Sequence, residues 1–328
     1  MLGPVISWNM APSRFVRETA SRRLLTTLPV LCRVDDVADC KEPAFVDLAA
    51  PLGATIVNPT MFMTNPSAFL PAEAADRSKP TGLPRVWIRD TLVGALWPFS
   101  TTSSSEAVVR RLAAPGSEGL NPSEITVLRK TTLLVRPEEL TRRELAGKAQ
   151  AGSAADQFRQ HGWCVLKDIV HPAHLAALAR RYDALVQSGR WRLGDRQVSH
   201  RYSWSNEQAA RFFHHQLTDY LGHVLGVRIR PTYSFVCLYL GGASLRRHTD
   251  RAACEFTLSL AVGHSPRASW PLKLETPSGI AEVACRPGEP SCSGATLLTF
   301  VTVYRQGRRG PLSFSIMCEP GVKPNARE

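Results

Sequence analysis

The residues most able to do chemistry are His248 and Asp250, separated by one position in the run YLGGASLRRHTDRAACEFTLSL, residues 239–260. In a strand, residues i and i+2 point to the same side, so an imidazole and a carboxylate at this spacing project together. They can then take two adjacent positions on one metal ion. Two His and one carboxylate on one face, with open positions opposite, is the ligand set of non-haem Fe(II) centres that activate oxygen. On its own an HxD pair is a weak signal in a chain with nine His. Its setting strengthens it: a strand and a Gly241-Gly242 turn precede the pair, and a second strand, CEFTLSLAV, follows it.

The elements that must position this pair are legible in the hydrophobic period. After Arg228 the period becomes two, with β-branched and aromatic residues dominant. Strands are expected over 231–240, 245–250, 254–262, 270–275, 280–285 and 295–303, spacing that suggests a sandwich or jelly roll. Before them, FRQHGWCVLKDIV reads as a helix end, a turn at Gly162 and a strand. PAHLAALARRYDALV is a helix with Leu175, Leu178, Tyr182 and Leu185 on one face. Another helix is expected from Asn206, whose side chain can cap it. Helices first and strands after is an α+β order.

Residues 1 to about 150 read as a separate N-terminal accessory region of unknown role, helical or mixed, and 151–318 as the domain that carries the site. NPTMFMTNPSAFLP and PFSTTSSSE look like loops. One helix start is well marked by Asn121, Pro122 and Glu124, a capping box with proline in the first turn. A second is expected at Pro137.

With these residues in hand, positions 158 to about 288 resemble the Fe(II)/2-oxoglutarate-dependent dioxygenase superfamily, in its prolyl-hydroxylase-like form. FRQHGWCVL is similar to that family's opening strand, YLGGASLRRHTD to its first metal strand and WPLKLETPSGIAEVACRPGE to its middle hairpin. Tyr239, nine residues before His248, has the spacing seen there. The resemblance implies a double-stranded β-helix, a jelly-roll barrel flanked by helices. It implies Fe(II) held by His248, Asp250 and a distal His, with 2-oxoglutarate as cosubstrate and ascorbate as a further cofactor. Its reaction consumes oxygen and 2-oxoglutarate, releases succinate and carbon dioxide, and hydroxylates a C–H bond of a small-molecule or peptidyl substrate. An Arg about ten residues after the distal His would pair with the far carboxylate of 2-oxoglutarate, a task suited to the guanidinium fork. Tyr239, Arg251 and Arg309 are the cofactor-binding candidates; a buried Tyr on a strand is also commonly plain core.

The chain departs from that pattern where the distal His is due. No histidine follows His264. His264 itself stands only fourteen residues after Asp250, in a turn-like run where an exposed His is ordinary. The position in register with the distal ligand is Thr299, which is not a ligand as written. Glu289–Gln306 can be encoded so that the same bases, read two bases later, give AVLFRGHVAHLRDGLPAG. One base added after the second base of codon 289 then restores PGDAVLFRGHVAHLRDGLPAG, with a histidine in register with Thr299. The same shifted frame allows an arginine in register with Gly310 and a stop across Cys318 and Glu319. A reading-frame slip near Glu289 is therefore expected, with natural divergence of the last strands as the alternative. TLLTFVTVY remains apolar and β-prone and is able to pair as a strand, GVKPNARE is expected to be disordered, and an unfinished barrel would leave an open strand edge.

Two functions stay open: an oxygenase that is inactive as written, or a non-catalytic relic or binding protein with the same fold. Composition bounds them. The chain has 328 residues, 44% hydrophobic and 21% charged, which is ample for a packed core. No apolar run approaches membrane-spanning length and no secretory signal pattern opens the chain, so a cytoplasmic, membrane-free protein is expected. The eight cysteines form no CxxC pair, which argues against a zinc knuckle and for buried, reduced thiols. The net charge of +12 is spread along the chain without the aromatic-basic interleaving of nucleic-acid surfaces, so a nucleic-acid partner is not favoured.

Overall fold

The computed structural model describes residues 32–51, 55–64, 84–113, 119–240, 243, 245–246, 256–262, 270–276, 279–285, 300–305 and 315–320. The chain is a mixed helix and sheet protein. In the N-terminal region, strands β1 (Ile56–Val57), β2 (Phe62–Thr64), β3 (Arg85–Arg89) and β4 (Leu96–Ser100) precede helices α1 (Ser103–Ala113) and α2 (Pro122–Lys130). Strand β5 (Leu134–Val135), the long helix α3 (Pro137–His161), strand β6 (Trp163–Lys167) and helix α4 (Pro172–Gln187) follow. Next come β7 (Arg192–Leu193), β8 (Arg201–Ser205), α5 (Gln208–Leu225), β9 (Ile229–Tyr239) and β10 (Phe256–Leu260). The hairpin β11 (Trp270–Thr276) and β12 (Gly279–Cys285) and the strands β13 (Phe300–Arg305) and β14 (Ser315–Pro320) complete the described elements.

Local chemistry explains most element ends. Asn121 accepts from the Glu124 amide while the Glu124 carboxylate accepts from the Asn121 amide, so the capping box at α2 forms as the sequence predicts. Helix α3 ends at Gly162, whose φ of 75° is the left-handed C-cap that only glycine adopts at no steric cost. Helix α4 buries Leu175, Leu178 and Tyr182, the expected face. Three local readings are corrected. NPTMFMTNPSAFLP, expected as a loop, contains strand β2, which pairs with β3. PFSTTSSSE is not a loop: Leu96–Ser100 pairs with β3, and Thr102 and Ser105 exchange side-chain-to-backbone bonds that start α1. The cap of α5 is Glu207, not Asn206, because Asn206 turns at φ 54° and its Oδ1 accepts from Ser234 on β9.

The main sheet has seven strands in the order β6-β13-β10-β14-β9-β8-β7, and every neighbouring pair is antiparallel. Among the described residues it is an open sheet with β6 and β7 at its edges, not a closed barrel; β11 and β12 form a separate two-stranded sheet. Strands β9, β10, β11 and β12 match expected ones closely, β13 overlaps the expected 295–303 only over 300–303, and no strand is described over 245–246. Strand β13, the apolar part of TLLTFVTVY, pairs on both sides, with β6 and β10. Strand β14 lies between β10 and β9, a strand the sequence did not suggest. GVKPNARE lies outside the described residues.

One face of the sheet, with Cys164, Leu166, Val236, Phe256, Leu258 and Leu260, joins the main hydrophobic core. Helix α3 supplies Phe158 against Phe256, at 6.2 Å between ring centroids. Helix α5 carries Phe212 and Phe213 into the same core, and there β3 and β4 add Trp87 and Trp97. The N-terminal strands are therefore docked on the helices that support the main sheet. A hydrogen bond from the Leu96 amide to Gln216 Oε1 at 2.9 Å fixes that docking, and the buried Arg143–Asp90 pair at 3.1 Å fixes α3. At Gly147 the helix passes so close to the Leu92 backbone that a Cβ would stand 2.8 Å from it. The expected division at 150/151 falls inside α3, and one continuous core spans both sides of it.

Candidate functional site

The register of the sheet sorts its side chains into two faces, because residues directly opposite across a strand pair share a face. Val165 is aligned through Thr302, Ser259 and Ser315 with Phe235, and Ser203 with Cys237 and Arg201 with Tyr239 continue that face. The face opposite the helices thus carries Thr257, Ser259, Ser203, Arg201, Cys237 and Tyr239. Thr257 and Ser259 are buried there. At its β6 end the hairpin β11–β12 covers it, with Leu274 and Val283 packed on Trp163 and Val165. A strand such as β10, apolar on one side and buried but polar on the other, is what a wall between a core and a polar pocket requires.

The best-defined group on this face centres on Arg201, only 1% exposed. Its Nε donates to Asp195 Oδ2 at 2.5 Å, its Nη1 to Tyr239 Oη at 3.0 Å and its Nη2 to Gln197 Oε1 at 3.0 Å. Asp195 accepts further bonds from the Gln197 and Val198 amides and from Ser203 Oγ. Burial alone would raise the Asp195 carboxyl, but the Arg201 hydrogen bond and the two amides outweigh it and hold it at about 2. Burial pushes the Tyr239 phenol above its ordinary range, with Cys237 adding to the shift. The Cys237 thiol is pushed up to about 12, again first by burial. The Arg201 guanidinium stays charged: burial would lower its pKa, and the Asp195 bond more than compensates. The aromatic rings of Phe235 and Tyr239 lie 5.5 and 5.6 Å from its Cζ, a further stabilisation of the cation. The group is therefore a fixed cation and anion that hold a neutral phenol in one orientation at the end of β9.

Of the residues singled out from the sequence, Tyr239 is on this face. His248, Asp250 and Arg251 lie in the connection between β9 and β10, outside the described residues, as do His264, Thr299 and Arg309. Among the described residues no three His, Cys, Asp or Glu side chains group as a metal ion would need. Sequence reasoning missed Arg201, Asp195 and Gln197. The only available signal was an Arg on the Ser203 face of a short alternating strand, RYSWS, and its partner on β9 depends on a pairing that no local pattern specifies.

The chain matches no sequence-family profile, and no curated protein matches it. Solved structures similar to it include a prolyl-4-hydroxylase of Pseudomonas putida at 18% identity, covering 53% of this chain and 94% of that one, with a TM-score of 0.38. A second is the non-heme alpha-ketoglutarate-dependent carbocyclase SnoK from nogalamycin biosynthesis, at 10% identity, covering 52% of this chain and 78% of that one, with a TM-score of 0.35.

Proposed function

We propose that this chain is an oxidoreductase of the Fe(II)/2-oxoglutarate-dependent dioxygenase kind, built to hydroxylate a small-molecule or peptidyl substrate, with a metal site that is incomplete as written. The observation that carries the reading is the His248-x-Asp250 pair in the segment that joins β9 to β10, just beyond Tyr239 on the polar face. The polar, buried face of Thr257, Ser259, Arg201 and Tyr239 supports it, since a jelly-roll oxygenase needs one sheet face that is not core. The donor set does not fit a three-ligand iron. His248 offers neutral nitrogen and Asp250 anionic oxygen, but Thr299 offers only a hydroxyl. No catalytic step is therefore derived through iron.

The same threonine favours a second reading, a non-catalytic relic or binding protein on this fold. The two are separated by metal titration. Anaerobic Fe(II) binding to the whole chain is expected to be weak, one ion per chain, and lost in both His248→Ala and Asp250→Asn. Binding that survives both substitutions sinks the metal-site assignment. Succinate formation near one turnover per second, an ordinary enzyme rate, would sink the incomplete-site reading and point to another residue, His264 first.

A further inference from the structure

Helix α4 and the segment before β1 enclose a cleft of about 510 Å³ that the polar sheet face does not share. Four arginines line it from three parts of the chain: Arg33, Arg180 and Arg181 on α4, and Arg190 just after it. One carboxylate, Asp36, lines it too, 4.0 Å from Arg180. Arg181 is held from behind by Glu207, with bonds of 2.9 and 2.7 Å to Oε1, while Glu207 Oε2 caps α5. Arg180 faces Asp36 and the Cys40 thiol. The side chains of Arg33 and Arg190 have no acidic partner among the described residues, and both are exposed. They are not engaged by the end of the helix either. The carbonyls of Ala184, Leu185 and Val186 near the end of α4 already accept from the amides of Ser188, Arg190 and Gly189.

We infer that this cleft binds a small anion with clustered phosphate groups. Four arginines from separate parts of the chain lining one cleft suit a ligand with several acceptor oxygens presented together, and a phosphate offers three per group. The volume suits a small molecule of up to about nucleotide size. No aromatic ring lines the cleft, so the base stacking that single-stranded nucleic acid uses is missing.

Calorimetric titration of the whole chain with inorganic tripolyphosphate tests this, with citrate and a short single-stranded oligonucleotide as comparison ligands. One tripolyphosphate per chain is expected, and binding weakens about tenfold for each of Arg33→Ala and Arg190→Ala. Arg110→Ala, an equally exposed arginine on α1, leaves it unchanged. Both cleft arginines are surface residues, so an unchanged melting temperature shows that the fold is kept. The inference is overturned by absent or unsaturable tripolyphosphate binding, or by equal weakening in Arg110→Ala. Citrate binding as tightly, or only the oligonucleotide binding with the Arg33 and Arg190 dependence, overturns it as well.

Discussion

The Arg201 side chain illustrates how one residue decides the state of its neighbours. Removing it leaves the Asp195 carboxylate, which is partly open to solvent, and the Tyr239 hydroxyl without their shared donor. Arg201→Ala is expected to cost about 1.5 kcal/mol in chemical denaturation, less than breaking a fully buried charge pair because Asp195 is partly solvated. Arg201→Lys recovers only part of this, because an ammonium cannot present three separate N–H directions in one plane. A loss under about 0.5 kcal/mol for the alanine variant would show that the group is not under stress of burial at all. Tyr239 was recognisable from its spacing to His248. Arg201, thirty-eight positions earlier in the chain, was not. Spacing along one strand is written in the sequence, but the pairing of β8 with β9 is settled only when the sheet assembles.

At the scale of elements, two buried polar groups hold helices in place. Glu139 at the start of α3 is fully buried and receives both Arg129 nitrogens, at 2.6 and 2.5 Å, as well as the Arg136 and Asp47 amides. Burial would raise its pKa, but the Arg129 bond and the amides prevail and hold the carboxyl at about 2. A depressed carboxyl stabilises the fold above its unfolded value and loses that contribution as pH falls from about 4.5 toward 2. Glu139→Gln, which strands the Arg129 charge, should lower stability by about 3 kcal/mol at neutral pH, measured by urea denaturation. Histidines act in the same direction over a higher window. His174 on α4 packs against Phe99, Trp97 and Phe213, and neither ring nitrogen has a hydrogen-bond partner. Burial, then the neighbouring His171, pushes its pKa well down. His171 is lowered to about 4 by burial and by Arg143, against the opposing pull of Asp90 and the Lys130 backbone. Both are neutral when folded, while the unfolded chain protonates them below about 6.5. Stability should therefore fall from pH 6.5 toward 4, by about 1.4 kcal/mol per pH unit for each group. His174→Phe is expected to remove about half of that slope in denaturation series across this range. An unchanged slope would place the acid sensitivity elsewhere. The helices themselves were legible because their signals are local: Asn121 with Glu124, Pro137, Gly162 and the apolar face of α4. The α5 cap was not, because Ser234 on a distant strand takes the Asn206 side chain and leaves Glu207 to do the capping.

At the scale of the whole molecule, the open question is what completes the sheet. Strands β13 and β14 stand in its middle and pair on both sides, although both follow Glu289, where a frame slip is expected from the sequence. An apolar, β-branched run can fill a vacant place between β6 and β10 through backbone hydrogen bonds alone, since those bonds are indifferent to side-chain identity. A metal site is not indifferent. The proposed iron site would need an imidazole at position 299, where the chain has threonine, and the backbone cannot supply one. Two features appear together when one base is added after the second base of codon 289: a histidine in register with Thr299 and an arginine eleven positions later. The shifted frame also ends the chain soon after a hydrophobic strand. The restored protein should therefore bind Fe(II) far more tightly than the written one, because a second neutral nitrogen, as the third ligand, completes the facial set. It should also decarboxylate 2-oxoglutarate, while the written chain does so negligibly. The two proteins are compared side by side, with Fe(II) affinity measured anaerobically and succinate release measured in air. Restored protein that binds metal no better than the written chain, or genomic DNA that cannot be read as the shifted string, ends the frame-slip account. Residues 289–328 would then be a natural ending to the sheet, and Thr299 a sign that the fold is kept for binding rather than for oxidation.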